Sequence, residues 1–272
     1  MEIPKGGLIG KAHALIRRVQ RMNIPGNAAD ASYFMVLAVF PALVLALSIL
    51  RYTSLDARDL MQWLEGFLPR ALEDAVEKMV IQTYAYSGVG VVSLSAVMAL
   101  WSASKGVYGV LRGLNEIYGA EEDRGWLYTR LISVLYTFAF FVMLVLSLAL
   151  NVFGEQIAHL IPLQGRFWRF LARIVNMRQL FLLLLQTGLF TAMFMFLPNR
   201  NNSFGGSLPG AVVASLGWQI FSALFSVYVE YFGRYSNIYG SVYAVALGML
   251  WLYCCLNILF YGAALNQLLE ED

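Results

Sequence analysis

"GVGVVSLSAVMALWSASKGVYGVLRGLNEIYG" occupies residues 88–119. Its first half, Gly88 to Ser104, carries no ionisable side chain, and its second half carries Lys105, Arg112 and Glu116. A helix needs about 20 apolar residues to cross a hydrocarbon core of about 30 Å. The run from Gly88 nearly supplies them before Lys105 stops it, so the stretch reads as a transmembrane helix. Lys105 lies about 26 Å along such a helix from Gly88. That places it near the membrane interface, where its apolar stem lets the amine reach the headgroups. Lys105, Arg112 and Glu116 are seven and four residues apart and share one helical face, with Arg112 and Glu116 spaced to pair directly.

The rest of the chain has the same character. Of its 272 residues, 59% are hydrophobic and only 13% are charged. Soluble domains carry about 25% charged residues, so this chain cannot cover a water-exposed surface. A net charge of +2 leaves no global basic footprint, and no nucleic-acid partner is expected. Cys254 and Cys255 are adjacent inside an apolar run, which excludes a disulfide framework. Residues 1–22 contain no continuous apolar core, so the first apolar run is expected to serve as an uncleaved signal-anchor.

Six apolar runs are long enough to span: residues 31–50, 88–110, 131–153, 180–197, 208–232 and 240–269. The last would be about 45 Å long as a helix and must tilt or protrude. Alternating segments of about ten residues, the mark of a β-barrel, are not seen. The expected fold is an all-α, polytopic six-helix bundle over residues 31–269. A cytoplasmic amphipathic segment, 1–30, precedes it and a short cytoplasmic tail, 270–272, follows. Basic residues divide almost evenly between the two sides. Lys5, Lys11, Arg17, Arg18 and Arg21 flank the first span, with no acid between Glu2 and Asp30, and they decide the orientation. Both termini are therefore placed in the cytoplasm.

Between the spans, Leu8, Ala12, Leu15, Ile16 and Val19 form one helical stripe, as expected of a helix on an anionic leaflet or one packed on the protein's own loops. Residues 51–87 read as two amphipathic helices broken near Pro69, and 166–177 as a third, together a cap over the outer side.

Ionisable residues at bilayer depth mark functional sites by default. Besides the Lys105 face they include Glu230 and Arg234, which repeat the four-residue spacing at the end of the fifth span. Ser102, Gly106, Gly109 and Gly113 keep one side of the second span low, as do Gly248 and Gly262 in the sixth, and such patterns let helices approach closely. Pro41 interrupts the backbone ladder in the middle of the first span and is expected to kink it. A weak internal echo relates Asn115–Gly119 to Val229–Gly233, and Ala149–Asn151 to Ala264–Asn266. It fits an inverted repeat of three helices per half. Two separated histidines, His13 and His159, leave no zinc-ligand spacing, and no Walker A sequence or nucleophile elbow occurs.

Three blocks resemble the YihY/BrkB family of inner-membrane proteins. "DASYFMVLAVFPALVLALSIL" (30–50) is similar to its first-span signature leading to Phe-Pro. "WSASKGVYGVLRGLNEIYG" (101–119) resembles its Trp-Ser-Ala-Ser…Leu-Asn-x-Ile-Tyr block. "YGSVYAVALGMLWLYCCLNILFYGAALN" (239–266) looks like its C-terminal block. The resemblance implies a six-helix inner-membrane protein; relatives have been labelled ribonuclease BN or linked to serum resistance or envelope-lipid export. The nuclease label conflicts with the residues, which offer no metal site and little soluble surface for RNA.

The expectation is a transporter or flippase-like exporter of a lipid or amphiphilic small molecule, needing no cofactor. Its partners would be membrane lipids, such a substrate and further copies of itself. Asp30, Tyr33 and Pro41 are the gating candidates. Lys105, Arg112, Asn115 and Glu116, with Glu230, Arg234 and Asn266, are candidates for substrate contact or coupling. The alternative is a non-transporting envelope scaffold whose outer cap binds a partner.

Overall fold

The computed structural model describes residues 17–50, 89–139, 142–143, 178–232 and 236–271. Among these, every regular element is a helix: α1 Ile24–Leu50, α2 Val89–Tyr118, α3 over 126–139, α4 Arg178–Phe196, α5 Phe204–Phe232 and α6 Ser236–Glu271. The protein is an all-α multi-pass membrane protein. Four helices are long and apolar enough to cross a membrane among the described residues: Ser93–Tyr118, Gln179–Phe196, Phe204–Val229 and Val245–Glu270.

Their termini follow from local chemistry. A short helical turn over 17–21 passes through Asn23, whose φ of 44° is a left-handed conformation that asparagine tolerates, into α1 with Pro25 in its first turn. At the end of α2, Gly119 takes a φ of 64°. The Ala120 N–H then donates to the Asn115 carbonyl (2.8 Å) and the Gly119 N–H to that of Glu116 (3.4 Å), a Schellman closure that only a residue free of Cβ strain makes cheaply. Ser203 caps α5 by accepting from the Gly206 N–H at 3.1 Å.

The bundle is apolar on its outer surface as well as in its interior. Leu94, Val97 and Met98 on α2, Leu131, Leu135 and Phe138 on α3, and Ile220 and Leu224 on α5 are exposed, a surface suited to acyl chains. The buried interior is aromatic and aliphatic, with Phe190, Phe194, Leu111, Leu114, Leu259 and Phe260 nearly inaccessible. Helix α6 runs along α5, α1 and α2, α1 packs on α2, and α4 packs on α5.

Because hydrocarbon surrounds the bundle, these contacts depend on close fit more than on water exclusion. Gly106 and Gly109 lie against Met35 and Ala31 of α1, and Gly113 lies between Phe260 and Asn27. Gly210 and Gly262 mark the crossing of α5 and α6, where a Cβ on Gly210 would come within 2.0 Å of the Gly262 carbonyl oxygen. Gly248 departs from expectation: a Cβ there would meet nothing within 4 Å, so it lies on no helix contact among the described residues. Its spacing from Ala244 resembles a packing motif, but rotation about the α6 axis decides which glycines face a neighbour.

Most expected spans are longer as helices: α1 begins at Ile24 rather than 31, α2 continues beyond 110 to Tyr118, α5 begins at Phe204 rather than 208, and α6 covers Ser236–Glu271 rather than 240–269. The expected cap (51–87 and 166–177), most of the N-terminal stripe, and the third span beyond 139 apart from 142–143 lie outside the described residues. So do Arg234, the side chain of Glu230, and the echo segments 149–151 and 233.

Candidate functional site

The start of α1, the end of α2, the 119–125 loop, the 197–203 turn, the start of α5 and the end of α6 meet at one end of the bundle. Antiparallel passage of the chain brings these distant segments together, and polar side chains join them. Asn115, 5% exposed, sits at the centre. Its Nδ2 donates to Glu122 Oε2 (2.7 Å) and its Oδ1 accepts from the Asn199 N–H (2.7 Å). The Asn199 side chain donates in turn to the Glu121 carbonyl at 2.7 Å and to the Asp123 carboxylate.

Glu122 and Arg124 form a two-pronged ion pair, Nε to Oε1 at 2.7 Å and a terminal guanidinium nitrogen to Oε2 at 2.6 Å. Arg124 also donates to the Leu197 carbonyl at 2.8 Å, tying the loop to the end of α4. Hydrogen bonds from Arg124 hold the Glu122 carboxyl below its ordinary range against a modest desolvation cost, and the same pairing raises Arg124. Arg200 reaches across to α6, donating to Gln267 and Glu270 at 2.8 Å each. Beside these groups lies an open polar cleft of about 350 Å³ lined by Arg124, Tyr128, Asn199, Arg200 and Asn201.

Between α1 and α2 the polar contacts form two rungs. Asn27 Nδ2 donates to Glu116 Oε2 at 2.6 Å, and Arg112 pairs with Asp30. This corrects the expected pairing of Arg112 with Glu116: each takes a partner on the neighbouring helix. Glycines at 106, 109 and 113 bring α1 so near that its side chains lie within reach of both.

Lys105 also departs from expectation. It lies about 10 Å further along α2 from the Arg112 rung, within the Ser93–Tyr118 stretch. Its amine sits over the rings of Phe34 (5.2 Å) and Trp101 (6.0 Å) instead of reaching the polar end. The reason is geometric: helical side chains lean towards the N-terminus, and the polar end lies towards the C-terminus of α2.

Other expected residues separate. Tyr33 is half exposed and stacks edge-on with Phe34 at 5.3 Å. Pro41 lies within a helix that continues to Leu50. Ser102 is half-buried one turn before Gly106. Asn266, 1% exposed, accepts from the Gly210 N–H at 2.6 Å and donates to the Ser207 carbonyl at 2.9 Å.

Sequence reasoning missed Asn27, Asn199, Arg200, Gln267 and Glu270, although the polar run Asn199–Asn202 after Pro198 was a signal for a structured turn. It also missed Gln186, which accepts from Gln219 at 2.8 Å between α4 and α5. The bundle centre, among Met35, Val110, Tyr136, Phe190, Trp218 and Leu256, holds an apolar void of about 20 Å³, room for one water. Among the described residues no three His, Cys, Asp or Glu side chains are grouped to share a metal ion.

The chain matches the family model described as virulence factor BrkB over residues 15–272. It is 34% identical to YfkH of Bacillus subtilis (strain 168), whose name marks it only as ribonuclease-like, over 90% of each chain. It is 27% identical to a UPF0761 membrane protein of Vibrio parahaemolyticus, covering 95% of this chain and 81% of that one. A UPF0761 membrane protein of Rhodospirillum centenum is also 27% identical, and there the match spans 97% of this chain but 58% of the relative. No solved structure matches it. Matched over nearly its whole length and folded as apolar helices joined at one polar end, the chain belongs to the virulence factor BrkB family of multi-pass membrane proteins.

Proposed function

We propose that this protein is an inner-membrane transporter of a lipid or other amphiphilic small molecule, with both termini and the polar end in the cytoplasm and no catalytic activity. The observation that carries the reading is the pair of rungs between α1 and α2, Asn27–Glu116 and Asp30–Arg112. Arg112 and Asp30 are 57% and 37% exposed, so their ion pair is weakly held and can part. Below it the helices meet through Gly106 and Gly109, a smooth seam along which α1 can tilt. Pro41 lies about 16 Å further down α1, where a missing backbone hydrogen bond makes bending cheap. Parting the rungs while α1 bends at Pro41 would open the α1–α2 interface on one side, the kind of motion alternating access requires.

The test is flux in proteoliposomes loaded with fluorescent phospholipids. Asp30→Arg and Arg112→Asp alone should each change the rate, and the double exchange should move it back towards the original. Unchanged flux in both single variants, in protein that is folded, would remove the gate.

A second reading, a membrane scaffold, is favoured by the tight Gly210–Gly262 crossing and by the small apolar void at the bundle centre. Photocrosslinking from Tyr128 or Asn201 in cells would then capture one dominant partner, and the Asp30 and Arg112 variants would matter only through stability.

A further inference from the structure

Trp101 carries two cations. The Lys105 amine lies 6.0 Å from its ring centroid and the Arg130 guanidinium 4.1 Å, while Arg130 also donates to the Trp101 carbonyl at 2.9 Å. No carboxylate pairs with Lys105 or Arg130 among the described residues, whereas Arg112, Arg124 and Arg200 each have one. Lys105 lies about midway along the Ser93–Tyr118 stretch and Arg130 one turn into α3, and cations set among apolar side chains are costly unless an anion meets them. Ring faces offset part of that cost, since an aromatic face attracts a cation most strongly where water is scarce.

The surroundings indicate which anion. Trp101 is 49% exposed, and Val97 and Met98, one turn further along the same helix, are exposed apolar side chains. On α3, Leu131 and Leu135 continue that apolar surface beside Arg130. The cations therefore open on to the lipid-facing flank and not into the bundle, whose centre holds only the small apolar void. A soluble anion would have to shed its water to arrive there. A phospholipid arrives with its acyl chains already in hydrocarbon and offers phosphate oxygens that a guanidinium and an ammonium can share.

We infer that Lys105, Trp101 and Arg130 form a site on the outer flank of α2 and α3 for the phosphate of an anionic phospholipid. Along α2 the site lies about 10 Å from the Arg112 rung, away from the polar end, and its occupant is a lipid in passage along the bundle. That last step rests on the transport reading; the contact itself does not. The headgroup then passes along the outside of the bundle, with the two cations replacing part of its water.

Tryptophan quenching by brominated lipids tests the contact without any flux. The full chain in nanodiscs should be quenched more by brominated phosphatidylglycerol than by brominated phosphatidylcholine at equal mole fraction. The preference should be on the order of tenfold in apparent affinity for two cations. Trp101→Phe should remove the lipid-specific component. Lys105→Gln with Arg130→Gln should abolish the preference, and Lys105→Arg should keep it. Equal quenching by the two lipids in the unaltered protein overturns the site, and that measurement requires no variant to fold. Loss of the preference on adding inorganic phosphate would make the ligand a soluble anion and overturn the lipid assignment. A lipid preference that survives in a protein without flux would refute the transport reading and leave the site standing. Flux without any preference would do the reverse.

Discussion

Asn266 of α6 clasps the α5 backbone on both sides of Pro209, within a helix that runs continuously from Phe204 to Phe232. Its carboxamide oxygen accepts from the Gly210 N–H at 2.6 Å and its nitrogen donates to the Ser207 carbonyl at 2.9 Å, so one side chain of α6 serves the backbone on both sides of the proline. Away from water, polar groups without partners are expensive, so a buried carboxamide bonded at both ends ties α6 firmly to α5. Asn266→Leu leaves Gly210 N–H and Ser207 C=O without these partners in a buried contact, and we expect a loss of about 1–3 kcal/mol. Thermal unfolding in detergent, followed by circular dichroism, should show a lowered midpoint. An unchanged midpoint would mean the bridge contributes nothing.

Gly210 and Gly262 face each other across that same crossing. A Cβ on Gly210 would lie 2.0 Å from the Gly262 carbonyl oxygen, and one on Gly262 would lie 2.6 Å from that of Gly210. Both obstacles are backbone, which cannot rotate away, so Gly210→Ala and Gly262→Ala must push the helices apart. We expect each to cost about 1–3 kcal/mol or more. Gly248→Ala is the control, since it meets nothing within 4 Å and gains up to about 1 kcal/mol of helix propensity. Equal midpoints for all three variants would contradict the crossing.

Why these positions differ was not legible in the sequence. Gly248 and Gly262 are both glycines in one apolar helix, and only the rotation of α6 against α5 tells them apart. The spans themselves were legible, because an apolar run of the right length has few alternatives and the three blocks resembling the family fall on α1, α2 and α6. Charges at span ends were legible as well, but not their partners. Arg112 and Glu116 have the spacing of an intrahelical pair, yet each meets α1, through Asp30 and Asn27. Such contacts depend on which helices are neighbours, which a local period does not encode. The apolar run was counted as ending near Lys105, whereas α2 continues as a helix to Tyr118.

Glu122 gives the polar end a pH dependence whose sign follows from its pairing. Hydrogen bonds from Arg124 lower its folded-state affinity for a proton, while the unfolded chain keeps the ordinary value. The contribution is therefore complete above the ordinary carboxylate range and is lost as the pH falls through the lowered value. The thermal midpoint of the unaltered protein should drop between pH 7 and acid conditions by more than that of Glu122→Gln. If the two proteins lose stability in parallel, other carboxylates account for the acid sensitivity.

Which side of the membrane the polar end faces is open to direct chemistry. The 119–125 loop, the 197–203 turn and the end of α6 are joined there by Asn199–Asp123 and by Arg200–Glu270, so all three must lie on the same side whatever the orientation. Native cysteines interfere little, since Cys255 is buried and Cys254 partly so, and a Cys254→Ala, Cys255→Ala background removes them. Single cysteines at Gly125, Asn201 and Glu271 should then respond alike to a membrane-impermeant maleimide. With the polar end cytoplasmic, all three should be protected in intact cells and labelled once the inner membrane is opened. Labelling of all three from outside would invert the orientation but preserve the shared end. A mixture of protected and labelled sites would break the shared end, and with it the hydrogen-bonded assembly around Asn115.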